Sequence, residues 1–230
     1  MGDVVSLHRY CNIHKMDVNY RKQNLFDSFK NFVSLKHRFS NGNDAFTSKD
    51  SPEELARKIR SEYADSSDSL AFPVDEFANS LGIDVYTDDL TEIGMVGELA
   101  GIKGYLAIKP NNERPVIVVS KDESYGHQRW TVAHELWHYF IHTFANSNRV
   151  LSSPVFYTEF GNYNTIVPNS EEDLANRFAA ELLMPKSIFS AMYRRYEKAS
   201  RDPDYLFFKL SNCFKVSKKA VLTRIKDLKL

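Results

Sequence analysis

The sequence predicts an α+β chain with a small antiparallel or mixed sheet. Three observations carry that prediction. Two β-rich runs, "GYLAIKP" and "RPVIVVSK", flank the turn residues "NNE" and read as a hairpin. A long helical pattern follows from about Tyr125 to Thr143, and a second, "EEDLANRFAAELL", begins at Glu171. Helices segregated from a short run of strands are the pattern of α+β folds.

Taken in order, residues 1–50 form an N-terminal extension. Leu25, Phe29, Phe32 and Val33 recur there at helical spacing, so one amphipathic helix is expected before "SNGND" breaks the pattern. The expected domain starts at Ser51 and runs to about residue 200. "SPEELARKIRSEY" has Ser51 at N-cap, Pro52 at the first helical position and Glu54 at the capping-box position. "FPVDEFANSLG" places Val74, Phe77, Ala78 and Leu81 on one helical face, with Gly82 as C-terminal cap. "IDVYTDDL" then reads as a strand, followed by the hairpin and the long helix. The stretch from about Ala145 to Pro168 reads as a loop, and Pro185 ends or interrupts the helix that follows it. Residues 201–230 are read as two short helices joined near "KVS" and packed on the preceding domain.

Composition narrows the function classes. Lys plus Arg (30) balances Asp plus Glu (30), so no global charge points to nucleic acid or a membrane surface. No apolar run approaches the ~20 residues of a membrane helix. The opening residues lack the apolar core and cleavage site of a secretory signal. Their match to Met-Gly-x-x-x-Ser is a short pattern attributed to chance. Cys11 and Cys213 form no Cys-x-x-Cys and no disulfide framework, so a reducing cytoplasm is the expected setting. Any metal site must use histidine and carboxylate.

The long helix carries such residues. His134 and His138 stand at i and i+4, on one helical face one turn apart, and can offer two imidazole nitrogens to one ion. Ala133, Trp137, Phe140, Ile141 and Phe144 form an apolar stripe on roughly the other side, so the helix can pack on a core while its histidines face a cleft. Glu135, at the flank of the pair, can reach a water beside the ion without ligating it. The plain alternative is a core helix with incidental histidines. A histidine ten residues after the first would mark the metzincin pattern, but Phe144 stands there and Ile141 stands at its glycine. A third ligand must then be a carboxylate, with Glu159 in the loop and Glu171, Glu172 and Glu181 on the next helix as the choices. Ala175, Phe178, Ala179 and Leu182 define that helix's buried face. Glu171 and Glu172 lie near its edges and Glu181 points largely away. Geometry leaves Glu171 and Glu172, and Glu172 also fits a capping box with Asn169.

Together, "AHELWHYFIH" and "EEDLANRFAAELLMP" resemble the ImmA/IrrE family of metallo-endopeptidases, whose domain is zincin-like. The resemblance covers roughly residues 51–230, with no counterpart for the first 50. It implies one Zn²⁺ per chain held by His134, His138 and Glu172, with Glu135 as general base. It places Asn176 where it could hydrogen-bond behind a ligand. It also suggests His142 as a group that orients substrate or stabilises an oxyanion, although helix capping or packing would serve equally. Trp137 departs from the glycine usual at that position and is expected to alter packing rather than ligation.

Characterised proteases of that family cleave helix-turn-helix repressors in mobile elements or stress responses. The resemblance therefore implies a cytoplasmic zinc endopeptidase with such a transcriptional repressor as substrate. The alternative is a non-proteolytic regulator that binds a repressor or toxin partner. Lys209, Lys215, Lys218, Lys219, Arg224, Lys226 and Lys229 make the C-terminal helices basic. A solvated face on a packed helix pair accounts for that charge, so direct DNA binding is not expected.

Overall fold

The computed structural model describes residues 51–63, 69–91, 101–108, 114–145, 155–160 and 171–230, with backbone alone for 143–145 and 155–160. The amphipathic helix expected within residues 1–50 lies outside the described residues, as do Asn169 and its capping box. The described elements are α1 (Pro52–Tyr63), α2 (Val74–Ser80), β1 (Asp84–Asp88), β2 (Ile102–Ile108), β3 (Val116–Ser120), α3 (Tyr125–Ala145), β4 (Val155–Phe160), α4 (Glu171–Leu183), α5 (Lys186–Ala199), α6 (Pro203–Phe214) and α7 (Lys218–Leu228). Among the described residues, no helix is long and apolar enough to cross a membrane.

Local signals set the ends of several helices. The Glu54 backbone N–H donates to Ser51 Oγ at 3.2 Å, capping α1. Gly82 follows α2 with φ +83°, a conformation other residues adopt only with strain. In the join between α6 and α7, Lys215 is left-handed and Ser217 Oγ accepts from the Ala220 N–H at 3.2 Å.

The strands form one mixed sheet in the order β1-β3-β2-β4. β2 and β3 are the expected antiparallel hairpin, with Leu106 opposite Ile117, while β1 runs parallel to β3. β4 corrects the sequence reading, because residues 155–160 were expected in a loop and instead pair antiparallel with β2. Glu159 therefore belongs to a strand. Leu106, Ile108, Ile117 and Val119 turn into the main core, and Leu90, Ile102 and Val118 form a small cluster of their own. A second unexpected element is α5, which begins directly after Pro185. Pro185 ends α4 and also starts the next helix, because its fixed φ suits a helix entrance.

The sheet approaches α3 closely. A Cβ at Gly104 on β2 would collide with the Thr131 side chain and the Val118 carbonyl, so only glycine admits the helix at that distance. α6 and α7 join the same core through Leu206, Leu210, Phe214, Val216 and Val221. Arg129 on α3, 4% exposed, donates from Nε to the Lys215 carbonyl at 3.0 Å, fastening the start of α3 to the α6–α7 turn. At the other end, the buried Arg224 of α7 pairs with Glu181 of α4 and donates to the Met184 carbonyl at 3.0 Å. Glu181 was expected to point away from the packed face. It is buried because α7 and α1 bring Arg224 and Arg57 to it.

Candidate metal centre

The two helices bearing the candidate ligands, α3 and α4, pack side by side. Trp137 on α3 packs on Phe178 of α4 with ring centroids 5.7 Å apart and planes tilted by 42°, and both rings are buried in the core. This contact places Trp137 in the helix–helix interface, a packing role in keeping with the sequence reading. The rest of α3 departs from the expected two-sided helix. From Thr131 to Phe140 every side chain except the partly covered Tyr139 is buried, and Leu136 lies in the core as well. The first turn of α4 lies over the histidine side. His134 and His138 are accordingly 1% and 2% exposed, while Glu171 and Glu172, which meet them from the first turn of α4, keep 41% and 49% of their side chains exposed.

His134 Nε2 and His138 Nε2 lie 3.2 Å apart. The two Glu172 oxygens meet them, Oε2 at 3.2 Å from His134 Nε2 and Oε1 at 3.2 Å from His138 Nε2. One ligand atom from each of these three residues can be chosen so that all lie within 4.8 Å of one another. The far side of each ring is also engaged. His134 Nδ1 is 3.1 Å from Asn176 Oδ1, and His138 Nδ1 is 3.1 Å from Glu171 Oε1. Both outer partners are acceptors, so a neutral ring places its proton on Nδ1 and turns its Nε2 lone pair inward, whereas a ring protonated at both nitrogens donates from Nε2 to Glu172.

This arrangement separates the two carboxylates that sequence geometry left equal. Glu172 reaches the inward nitrogens of both rings, whereas Glu171 meets the outward nitrogen of His138. They are neighbours in the first turn of α4, about 100° apart, and so approach the same ring from its two sides. Asn176, one turn after Glu172, stands behind His134. The role of Glu171 was missed by the sequence reading; the Glu-Glu doublet in a first helical turn was the available signal.

The charges respond to one another. Burial would raise the Glu172 carboxyl, but hydrogen bonds and charge from His134 and His138 outweigh it and hold the group far below its ordinary value. Burial would lower His138, but Glu171 and Glu172 outweigh it and raise this ring. His142, one turn further along α3 and 8% exposed, is lowered by burial against the opposing charge of Glu171. Glu135 is fully buried next to His134.

With both rings neutral, two inward imidazole lone pairs and a carboxylate are all acceptors, and a cation at their meeting point satisfies them in place of the ring protons. Donor atoms about 2.1 Å from one tetrahedral zinc would be roughly 3.4 Å apart, close to the observed spacings. The residues present therefore fit a zinc-type ion.

No curated protein matches the chain. The family model for the IrrE N-terminal-like domain, Peptidase_M78, matches residues 78–226, which span α3, α4 and the histidine–glutamate cluster between them. With most of the sequence inside that match, the chain belongs to the Peptidase_M78 family of metallopeptidases, and its mixed fold is that of a zincin-like domain.

Proposed function

We propose that this protein is a zinc-dependent endopeptidase that hydrolyses a peptide bond in a partner protein, with a helix-turn-helix repressor as substrate class. The observation that carries the metal chemistry is the convergence of His134 Nε2, His138 Nε2 and Glu172 at 3.2 Å spacings, with Glu135 one residue from the first ligand. The repressor substrate rests on the resemblance of the two helix motifs, and the cytoplasmic setting on that resemblance together with the sparse cysteines.

His134, His138 and Glu172 would hold one zinc. When bound, zinc supplies Lewis acidity, which acidifies water and polarises the scissile carbonyl. Glu135 takes the proton of the attacking water on its carboxylate and later delivers it to the leaving amine. Asn176 accepts the Nδ1 proton of a neutral His134, favouring the tautomer that presents Nε2.

The test is cleavage of a candidate repressor followed by mass spectrometry of the fragments, for the wild type and Glu135→Gln. The variant should keep zinc and lose cleavage by a factor on the order of 10² or more. Cleavage that survives the substitution would remove Glu135 from the mechanism. A repressor that is bound tightly but never cut would favour regulation by association.

A further inference from the structure

Glu171 adjoins a ligand in sequence yet lies outside the three converging groups. Its Oε1 meets His138 Nδ1 at 3.1 Å, while Glu172 Oε1 meets His138 Nε2 at 3.2 Å. One buried imidazole is thus bracketed by successive carboxylates. The two ring nitrogens point in divergent directions, so neither carboxylate can do the work of the other. The other ring has a neutral outer partner, the amide oxygen of Asn176.

An anionic acceptor at Nδ1 has two consequences for Nε2. It keeps the proton on Nδ1, and it makes the inward lone pair a stronger donor to a cation. It also fixes the plane of the ring. The opposite tautomer would aim an N–H at His134 Nε2, only 3.2 Å away, in the centre where a cation must sit.

We propose that Glu171 is the positioning residue of His138, holding its tautomer and plane and thereby setting the affinity of the site for a divalent metal. This rests on the metal-site reading given above. A purely structural role is the alternative, since an acidic residue in the first turn of α4 also complements the helix dipole. Such a role would change the stability of α4 and leave the His138 tautomer untouched.

The experiment uses the full chain as wild type, Glu171→Ala, Glu171→Gln and Glu172→Ala. Zinc affinity is read by chelator competition, and the histidine tautomers of the zinc-stripped proteins by ¹⁵N NMR. Glu171→Ala should lower zinc affinity about 10- to 100-fold and move His138 toward the Nε2–H tautomer. Glu171→Gln, whose amide oxygen can accept the same bond, should restore the tautomer and recover part of the affinity. Wild-type affinity and an unchanged tautomer in Glu171→Ala would overturn the proposal. Loss of zinc as complete as in Glu172→Ala would also overturn it, by making Glu171 a ligand. If the wild type itself binds no zinc, the metal-site reading fails, and the tautomer measurement still decides the role of Glu171.

Discussion

Replacing Arg224 by methionine should be among the most damaging single changes away from the metal site. Arg224 and Glu181 are 7% and 3% exposed, so the substitution strands a carboxylate inside the protein. Removing one partner of a buried pair costs about 3–5 kcal/mol. Two partners remain to reduce that figure. The Lys186 N–H still donates to Glu181 at 3.2 Å, and Arg57 still reaches it at 3.2 Å, although Arg57 is 44% exposed and its ion pair is weak. The Met184 carbonyl loses its Arg224 donor as well, worth about 1 kcal/mol. The net expectation is a loss of about 3 kcal/mol, measured by urea unfolding of the zinc-stripped protein. Changing both residues to methionine removes the stranded charge, so the double variant should be milder than Arg224→Met alone. An Arg224→Met loss below about 1 kcal/mol would refute the reasoning. So would a double variant as unstable as the single one, because then no uncompensated charge is at work.

Two further outcomes follow from packing and from pH. Trp137→Ala empties the volume beside Phe178 and should cost about 3–5 kcal/mol in urea unfolding, with zinc affinity close to wild type; a selective loss of zinc at unchanged stability would place the ring against the metal site instead. Burial would raise the Glu53 carboxyl, but hydrogen bonds at 2.7 and 3.0 Å to the Arg177 guanidinium help lower it below its ordinary 4.5. A depressed carboxylate stabilises the fold above its unfolded pKa and loses that contribution as pH falls through the folded value. Glu53→Gln should therefore cost under about 1 kcal/mol at neutral pH, Arg177 being partly exposed. The gap to wild type in thermal unfolding should shrink below pH 4.5; a gap that widens on acidification would reverse the sign of the argument.

The parts legible in the sequence were those specified by neighbours along the chain. Ser51 caps α1, the 3.6-residue rhythm of α3 and α4 marks both helices, and the i, i+4 histidines meet as their spacing requires. What escaped depends on partners far away. β4 is a strand through its ladder with β2, some fifty residues earlier; Ser-Ser-Pro before it and Gly-Asn after it bound the β-rich run "VFYTEF", a usable signal that was read as loop. Glu181 looked solvent-facing by helical angle, but Arg224, 43 positions later, covers it. α5 has no side-chain cap, and Pro185 was read as ending or interrupting α4. Its partly buried Ile188, Met192, Tyr193 and Tyr196 nevertheless follow helical spacing and were a usable signal. Helical angle alone left Glu171 and Glu172 equal; the resemblance of the α4 motif named Glu172, and the relative placement of two helices groups Glu172 with both histidines.

The central claim is that His134, His138 and Glu172 form one zinc site. It is tested most directly by the zinc content of the purified full chain, measured by elemental analysis for the wild type, His134→Ala and Glu172→Ala. The account predicts one zinc per wild-type chain, nearly complete loss in His134→Ala and strongly weakened retention in Glu172→Ala. A wild-type chain that takes up no zinc at micromolar concentration, or variants that retain it fully, would contradict the account.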